Sequence, residues 1–303
     1  MQCIVIGANG FIGRAITAKL RSRGHKVDCY GYSQGHKHPP DIDHLSYTEL
    51  DIRDRSAVLS AVTGAELLFH MGGVLGTHEL NDMCHDAAMS NIVATINILD
   101  ACVANNIQRV VYPAKPNIWF NTYTITKRAS LDFMMLYKRR FSLDVRAVML
   151  RNAYGPGQST GPIRKIIPHM MTQVTLGKPI EIYGAGYQPV DLIHINDLAE
   201  ALVTAGVNDA LKTANWPIDT GRVVRMSVND LATKIQDVVG RKIDIRHIPM
   251  REGEVESEWL GPQTEQTVFG LAGLSQDPYP VNTGLLESFD YYSAKVKAQA
   301  IAG

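Results

Sequence analysis

The sequence predicts an α/β fold, a doubly wound parallel sheet followed by a smaller, mixed α/β lobe. Three observations carry the prediction. Short apolar runs alternate with helical patterns from residue 2 to residue 149, and strand–helix alternation requires right-handed parallel crossovers. The glycines of Gly7-Ala8-Asn9-Gly10-Phe11-Ile12-Gly13 stand where the first strand turns into the first helix. After Arg151 the alternation stops at Gly155-Pro156-Gly157 and Gly161-Pro162, clusters that break regular structure.

In chain order, residues 2–7 read as strand, 11–23 as helix and 26–32 as strand. A short strand is expected at 44–50 and a helix at 54–63. Strand 66–70, a long helix near 79–105, strand 108–112, helix 122–140 and strand 143–149 complete the run. The second half is expected to hold helices at about 163–176, 195–206, 227–239 and 283–300, with short strands between them.

A chain of 303 residues suits one large unit or two modest domains. Its 30 basic and 30 acidic side chains cancel, so it offers no general field for nucleic acid or an anionic membrane. No apolar run approaches the roughly 18 residues that span a bilayer. The N-terminal Met1-Gln2-Cys3-Ile4 enters a strand at once, which leaves no room for a signal peptide. Cys3, Cys29, Cys84 and Cys102 lack CxxC spacing and read as core thiols in a reducing cytosol, so a cytoplasmic location is expected. His36, His38 and His44, with Asp41 and Asp43, share a Pro-containing loop whose spacing matches no closed ligand set, and no metal is expected.

The glycine spacing points to a dinucleotide. Gly7 permits a tight turn, Gly10 lets the backbone approach a pyrophosphate, and Gly13 lets helix and strand pack closely. The phosphates then meet free N–H groups at the positive end of the helix. An NAD site closes its second strand with an acid for the ribose 2′-hydroxyl; here Gly31 holds that place. Arg14, Ser33 and Lys37, with His36, lie nearby in sequence and lean the expectation toward a 2′-phosphate, hence NADP over NAD. The same residues also read as ordinary loop polars.

Tyr123-Thr124-Ile125-Thr126-Lys127 is a YxxxK motif at a helix start. Its i, i+4 spacing puts phenol and ammonium on one face. A nearby cation favours the phenolate and is expected to bring Tyr123 toward proton exchange near neutrality.

With these motifs the chain resembles the extended short-chain dehydrogenase/reductases of the nucleotide-sugar epimerase and dehydratase type, over nearly its whole length. The resemblance includes Asp51-Ile52-Arg53-Asp54, His70-Met71-Gly72-Gly73, Asn91, Arg151-Asn152-Ala153-Tyr154-Gly155-Pro156-Gly157, Gly184-Ala185-Gly186 with Asp191 and Asp197, and Arg251-Glu252-Gly253-Glu254. It implies a Rossmann domain over 1–155 and a mainly substrate-binding lobe over 156–303, with segments of about 188–220 returning to the first sheet. It implies that Gly7, Asn9, Gly10, Phe11, Ile12, Gly13, Asp51, Ile52, Met71, Gly72, Gly73 and Asn91 hold the cofactor together with Tyr123 and Lys127, the catalytic pair. Thr77, His78 and Lys115 would line the sugar site. Asn152 and Arg251 would meet the nucleotide diphosphate, a role the planar guanidinium of Arg251 suits. A homodimer through the helices near 79–105 and 122–140 is also implied.

Three departures from the family pattern stand out. The usual Ser or Thr after the fifth strand is replaced by Tyr112-Pro113-Ala114-Lys115-Pro116, with Lys115, Thr122 or Thr124 as substitutes. Val190 stands where the family has a phosphate-binding Arg, with Arg222 or Arg225 able to compensate. No acid lies between Pro113 and Tyr123, which disfavours dehydratase chemistry, since work on a carbon needs an acid–base group in reach. The resemblance therefore implies C4 epimerisation of a nucleotide sugar by transient oxidation. The alternatives are NADPH-dependent reduction of a keto sugar nucleotide, and a non-catalytic dinucleotide-binding sensor or scaffold.

Overall fold

Cys3–Ile6 and Leu67–Phe69 are buried apolar runs of strand length, and a strand covered on both faces has this composition. They lie side by side at the centre of the computed structural model, which describes residues 1–33, 46–116, 119–251, 254 and 266–302. The chain divides into two compact units. One holds Met1–Leu150, Leu198–Gly221 and Pro262–Gln276; the other holds Arg151–Asp197, Arg222–Gly261 and Asp277–Gly303.

The first unit runs β1 (Gln2–Ile6), α1 (Phe11–Ser22), β2 (Lys26–Gly31), β3 (Thr48–Glu49), α2 (Arg55–Ala61) and β4 (Leu67–His70). It continues with α3 (Cys84–Ala87), a π-helical turn (Ala88–Val93), α4 (Ala94–Ala104), β5 (Arg109–Ala114), α5 (Thr122–Phe141) and β6 (Asp144–Met149). The second half of the chain supplies β7 (Asn152–Tyr154), α6 (Ile166–Thr175), β8 (Ile180–Tyr183), β9 (Pro189–His194), α7 (Ile195–Val207), β10 (Ile218–Asp219), β11 (Val224–Ser227), α8 (Val228–Val239), β12 (Ile245–Ile248), α9 (Val268–Leu271) and α10 (Val281–Ala302).

The main sheet is parallel throughout, in the order β10-β6-β5-β4-β1-β2-β3. This is the predicted doubly wound α/β fold, with β10 added beside β6. One layer of its core joins Ile4, Ile6, Leu68, Val110 and Val145 of the sheet to Ile98, Leu99 and Cys102 of α4 and Met134 of α5. The second unit carries a three-stranded sheet, β11-β9-β7, and a parallel pair, β12-β8. Its core packs α6, α8 and α10 residues around Ile180, Ile182 and Leu192.

Several expected elements differ in detail. The long helix starts at Cys84, not 79, because Asn81 holds a turn: its carbonyl accepts from Cys84 Sγ and its Oδ1 accepts from Thr122 N–H. The strand expected over 44–50 is limited among the described residues to Thr48–Glu49. The expectation that no stretch is long and apolar enough to cross a membrane is also corrected. Cys84–Ala104 passes by length and composition, with half of its window buried, and its inner face is part of the first unit's core.

A buried ionic network ties the end of α7 to β5 and β6. Arg146 is fully buried. It donates to Ala205 O at 2.7 Å, to Asn208 O at 2.8 Å and to both oxygens of Asp144. Arg109 donates to Gly206 O at 2.6 Å and pairs with Asp144 and Asp209. Two cations thus satisfy carbonyls that a helix C-terminus leaves open. Removing one partner of a buried pair strands the other. Arg146→Met is therefore expected to cost about 3 kcal/mol, measured as a lowered urea midpoint; an unchanged midpoint would show the network to be dispensable.

Candidate active site

The strand order of the first unit reverses between β1 and β4, and ligands of doubly wound sheets bind at that reversal, beyond the carboxyl ends of the strands. Gly7 leaves β1 with φ +81°. A Cβ there would lie 2.7 Å from the Met71 carbonyl carbon and 2.8 Å from Gly72 N. Gly13 is tighter, since a Cβ would fall 2.1 Å from Gly7 O. The first turn of α1, with Phe11 and Ile12 half-buried in it, opens on Gly10 with no side-chain cap, so its N–H groups are left for an anion. A cradle with no room for a Cβ at Gly7 or Gly13 fits the pyrophosphate of NAD(P).

Beside the end of β2, Asn9 Nδ2 donates to Tyr32 O at 3.3 Å and Arg14 Nη1 donates to Asn9 O at 2.8 Å. Ser33, offered above as a phosphate ligand, instead gives its N–H and hydroxyl to Glu49 Oε1. Asp51 is chelated by Arg53 through Nε and Nη2, which holds its carboxyl below the usual range. Ile52 is buried beside Gly72. Lys37 and the histidines of the 36–44 loop lie outside the described residues. Among the described residues, no group of three His, Cys, Asp or Glu is placed to hold a metal ion.

The chemistry-bearing residues converge at the start of α5. Asn121 Oδ1 caps the helix by accepting from Thr124 N–H at 2.8 Å. Lys127 Nζ lies 4.0 Å from the centre of the Tyr112 ring, and Lys115 Nζ lies 5.6 Å from the centre of the Tyr123 ring. Lys115 donates to Thr124 Oγ1 and to Pro116 O, both at 3.0 Å. Thr122, the other threonine weighed as a substitute, pairs with Cys84 Sγ at 3.2 Å. Asn91 sits in the π turn. Its Oδ1 accepts from Val74 N–H at 2.9 Å, and its Nδ2 donates to Val74 O and to Thr126 Oγ1, so it ties the loop after β4, which carries Gly73, to α5.

Burial sets the titration here. It lowers Lys115 to about 8, and it lowers Lys127 to about 8 against the opposing pull of Tyr123. The expected lowering of Tyr123 is corrected: burial pushes the phenol up, Tyr112 adds to the rise, and Lys127 offsets them only in part. His70 is buried, pairs with Thr95 Oγ1 at 2.9 Å and is lowered to about 3, first by burial and then by Lys127. It is a neutral core residue. Thr77 is half-buried and His78 exposed in the loop after β4.

The remaining candidates belong to the second unit. Asn152 is exposed on β7. Arg251 lies 4.9 Å over the Tyr183 ring and pairs with Glu254 at 2.7 Å. Val190 is buried in the unit's core. Arg225 forms a two-bond fork with Asp191, and Arg222 pairs with Asp197, so both proposed compensators are engaged by carboxylates. Two residues of interest carry no motif, Tyr112 and Glu49. Tyr112 is hidden because nothing in a sequence marks an aromatic as the platform of a buried ammonium. Glu49 is signalled weakly, since it precedes Asp51 by two and so shares its face of an extended chain.

Gly13→Ala is expected to abolish NADH binding while leaving far-UV circular dichroism native, because the added Cβ overlaps Gly7 O and displaces the cradle. Retained NADH fluorescence enhancement in this variant would contradict the assignment of the cradle.

Comparison with known proteins agrees with this fold. The family model described as NAD dependent epimerase/dehydratase family matches residues 3–114 and 118–215. A 2-alkyl-3-oxoalkanoate reductase of Stenotrophomonas maltophilia (strain K279a) is 28% identical over 66% of this chain, which spans 64% of that relative's length. A UDP-glucose 4-epimerase of Mycolicibacterium smegmatis (strain ATCC 700084 / mc(2)155) is 24% identical over 97% of this chain and 99% of its own. Among solved structures, a UDP-N-acetylglucosamine 4-epimerase from Methanobrevibacter ruminantium M1, in complex with UDP-N-acetylmuramic acid, superposes with TM-score 0.83 at 20% identity, covering 97% of this chain and 98% of that one. With more than half of its length matched by the family model, the chain belongs to the NAD dependent epimerase/dehydratase family, enzymes of the extended short-chain dehydrogenase/reductase class.

Proposed function

We propose that this enzyme epimerises a nucleotide sugar, at C4 of the sugar, by transient oxidation and return of hydride to the opposite face. The observation that carries the proposal is the cluster at the start of α5, where Tyr123 stands with Lys127 on its own helix and Lys115 beside its ring. When bound, the nicotinamide supplies hydride-accepting and hydride-donating chemistry. Tyr123 takes the hydroxyl proton as the carbinol is oxidised and gives it back as the keto sugar is reduced. The Lys127 ammonium, desolvated against Tyr112, offsets in part the burial that raises the phenol, and so draws Tyr123 toward the working range. Lys115 replaces the family's missing hydroxyl: its ammonium, held by Thr124 and Pro116, donates to the reacting oxygen and stabilises the charge that develops there.

The names of relatives support a UDP-linked sugar as substrate. A second reading is reduction of a keto substrate, supported by the reductase relative and by a protonated, buried Tyr123 ready to donate. Dehydration is not proposed, because the connection from Pro113 to Tyr123 contains no acid. We extend the proposal to a homodimer through Cys84–Ala104 and α5, on which Ile125 and Leu136 stand exposed. Light scattering checks this extension, and a monomer at micromolar concentration contradicts it.

The test is a panel of UDP-sugars followed by NMR for epimer formation. Tyr123→Phe is expected to lower kcat by about 100-fold or more, and wild-type turnover by Tyr123→Phe would exclude the mechanism. Lys115→Met is expected to lower kcat by about tenfold or more while raising the melting temperature, because it removes a buried charge. Wild-type turnover is expected to fall as pH rises through about 8, where Lys115 and Lys127 lose their protons. A rate that instead climbs steadily from pH 7 to 10 would show that neither ammonium is required.

A further inference from the structure

Gly31 closes β2 at the position where an acid usually takes the ribose 2′-hydroxyl of NAD. The space that a side chain would take there is filled by two other side chains. A Cβ on Gly31 would lie 2.6 Å from Asn9 Cγ and Oδ1, and 2.8 Å from Tyr47 Cδ2. The neighbouring strand brings a carboxylate to the same place. Glu49 is the register partner of Gly31 across the parallel β2–β3 pair. Its Oε1 accepts the Ser33 N–H at 2.8 Å and the Ser33 hydroxyl at 3.0 Å. Glu49 thus lies at the carboxyl end of the sheet, on the ribose side of the glycine cradle, with Ser33 fixing one of its oxygens.

The described cations near this point hold partners inside the protein. Arg14 donates to Asn9 O at 2.8 Å, and Arg53 is forked onto Asp51 and donates to Tyr32 Oη. A 2′-phosphate carries close to two negative charges at neutral pH. At this site it would meet a carboxylate and find the Ser33 hydroxyl already bonded, whereas a ribose hydroxyl would meet an acceptor.

We propose that Glu49 is the cofactor-selecting residue of this enzyme, a carboxylate delivered from β3 in place of the acid absent from β2, and that it selects NAD against NADP. The proposal rests on the dinucleotide reading of the glycine cradle and reverses the NADP leaning that Gly31 alone suggests. Its basis is like-charge repulsion of the 2′-phosphate combined with hydrogen-bond acceptance from the ribose.

The test is titration of the purified full-length protein with NADH and with NADPH, read by reduced-nicotinamide fluorescence, for wild type, Glu49→Gln and Lys37→Ala. Wild type is expected to bind NADH about tenfold or more tightly than NADPH, a gap of about 1.4 kcal/mol. Glu49→Gln keeps the size of the side chain and removes its charge. It is expected to shrink that ratio several-fold, mainly by tightening NADPH, and Lys37→Ala is expected to leave the ratio unchanged. A wild type that prefers NADPH, a Glu49→Gln ratio equal to that of wild type, or a Lys37→Ala variant that loses NADPH selectively overturns the proposal. Failure of wild type to bind either dinucleotide overturns the cofactor reading itself, so the two failures are distinguishable. Should Glu49→Gln not fold, the wild-type ratio alone still decides against the proposal if it favours NADPH.

Discussion

The turn from β1 into α1 passes so close to the end of β4 that Gly7 has no room for a side chain, and folds so tightly on itself that Gly13 has none either. Everything downstream in the site depends on that approach. It brings the uncapped start of α1 to the reversal point of the sheet, where an anion meets free N–H groups and a favourable dipole. It also sets the distance between the cradle and the loop after β4, which Asn91 then ties to α5 through Thr126. The helix that carries Tyr123 and Lys127 is thereby tied to the loop beside the cradle through a satisfied amide.

Burial is the second organising influence. Two lysines and a tyrosine share a desolvated corner, and desolvation moves each toward its neutral form. Stability alone would favour apolar residues there. Burial makes Tyr123 hold its proton more tightly while both lysines lose theirs near pH 8, so the charge of this corner changes just above neutrality. Lys115 fits this pattern in particular. In the proposed mechanism an ammonium at this position adds charge where a hydroxyl would give only a hydrogen bond, which makes the corner more strongly electrophilic.

Much of the fold was legible in the chain. The strand–helix alternation and the glycine turn at residue 7 together point to a doubly wound parallel sheet, and the observed sheet is of that kind. YxxxK was legible because helical spacing alone places its two ends on one face. What the chain could not show was environment. The net rise of Tyr123 comes from packing around it, not from the neighbour four residues on. Glu49 reads as an ordinary strand residue until the β2–β3 register sets it beside Gly31. The late start of the long helix depends on Asn81, whose side chain bonds across to α5 over a separation of 41 residues. Each of these is a long-range contact, which local pattern does not encode.

The central claim is that hydride leaves a sugar carbon and returns to that same carbon within one binding event. The direct measurement is to incubate the purified enzyme with a nucleotide sugar deuterated at C4 and to follow the label by NMR and mass spectrometry. The account predicts that deuterium stays at C4 in both epimers, with no net change in reduced dinucleotide. Label lost to solvent, or label that leaves with released dinucleotide while sugar is consumed, would contradict it.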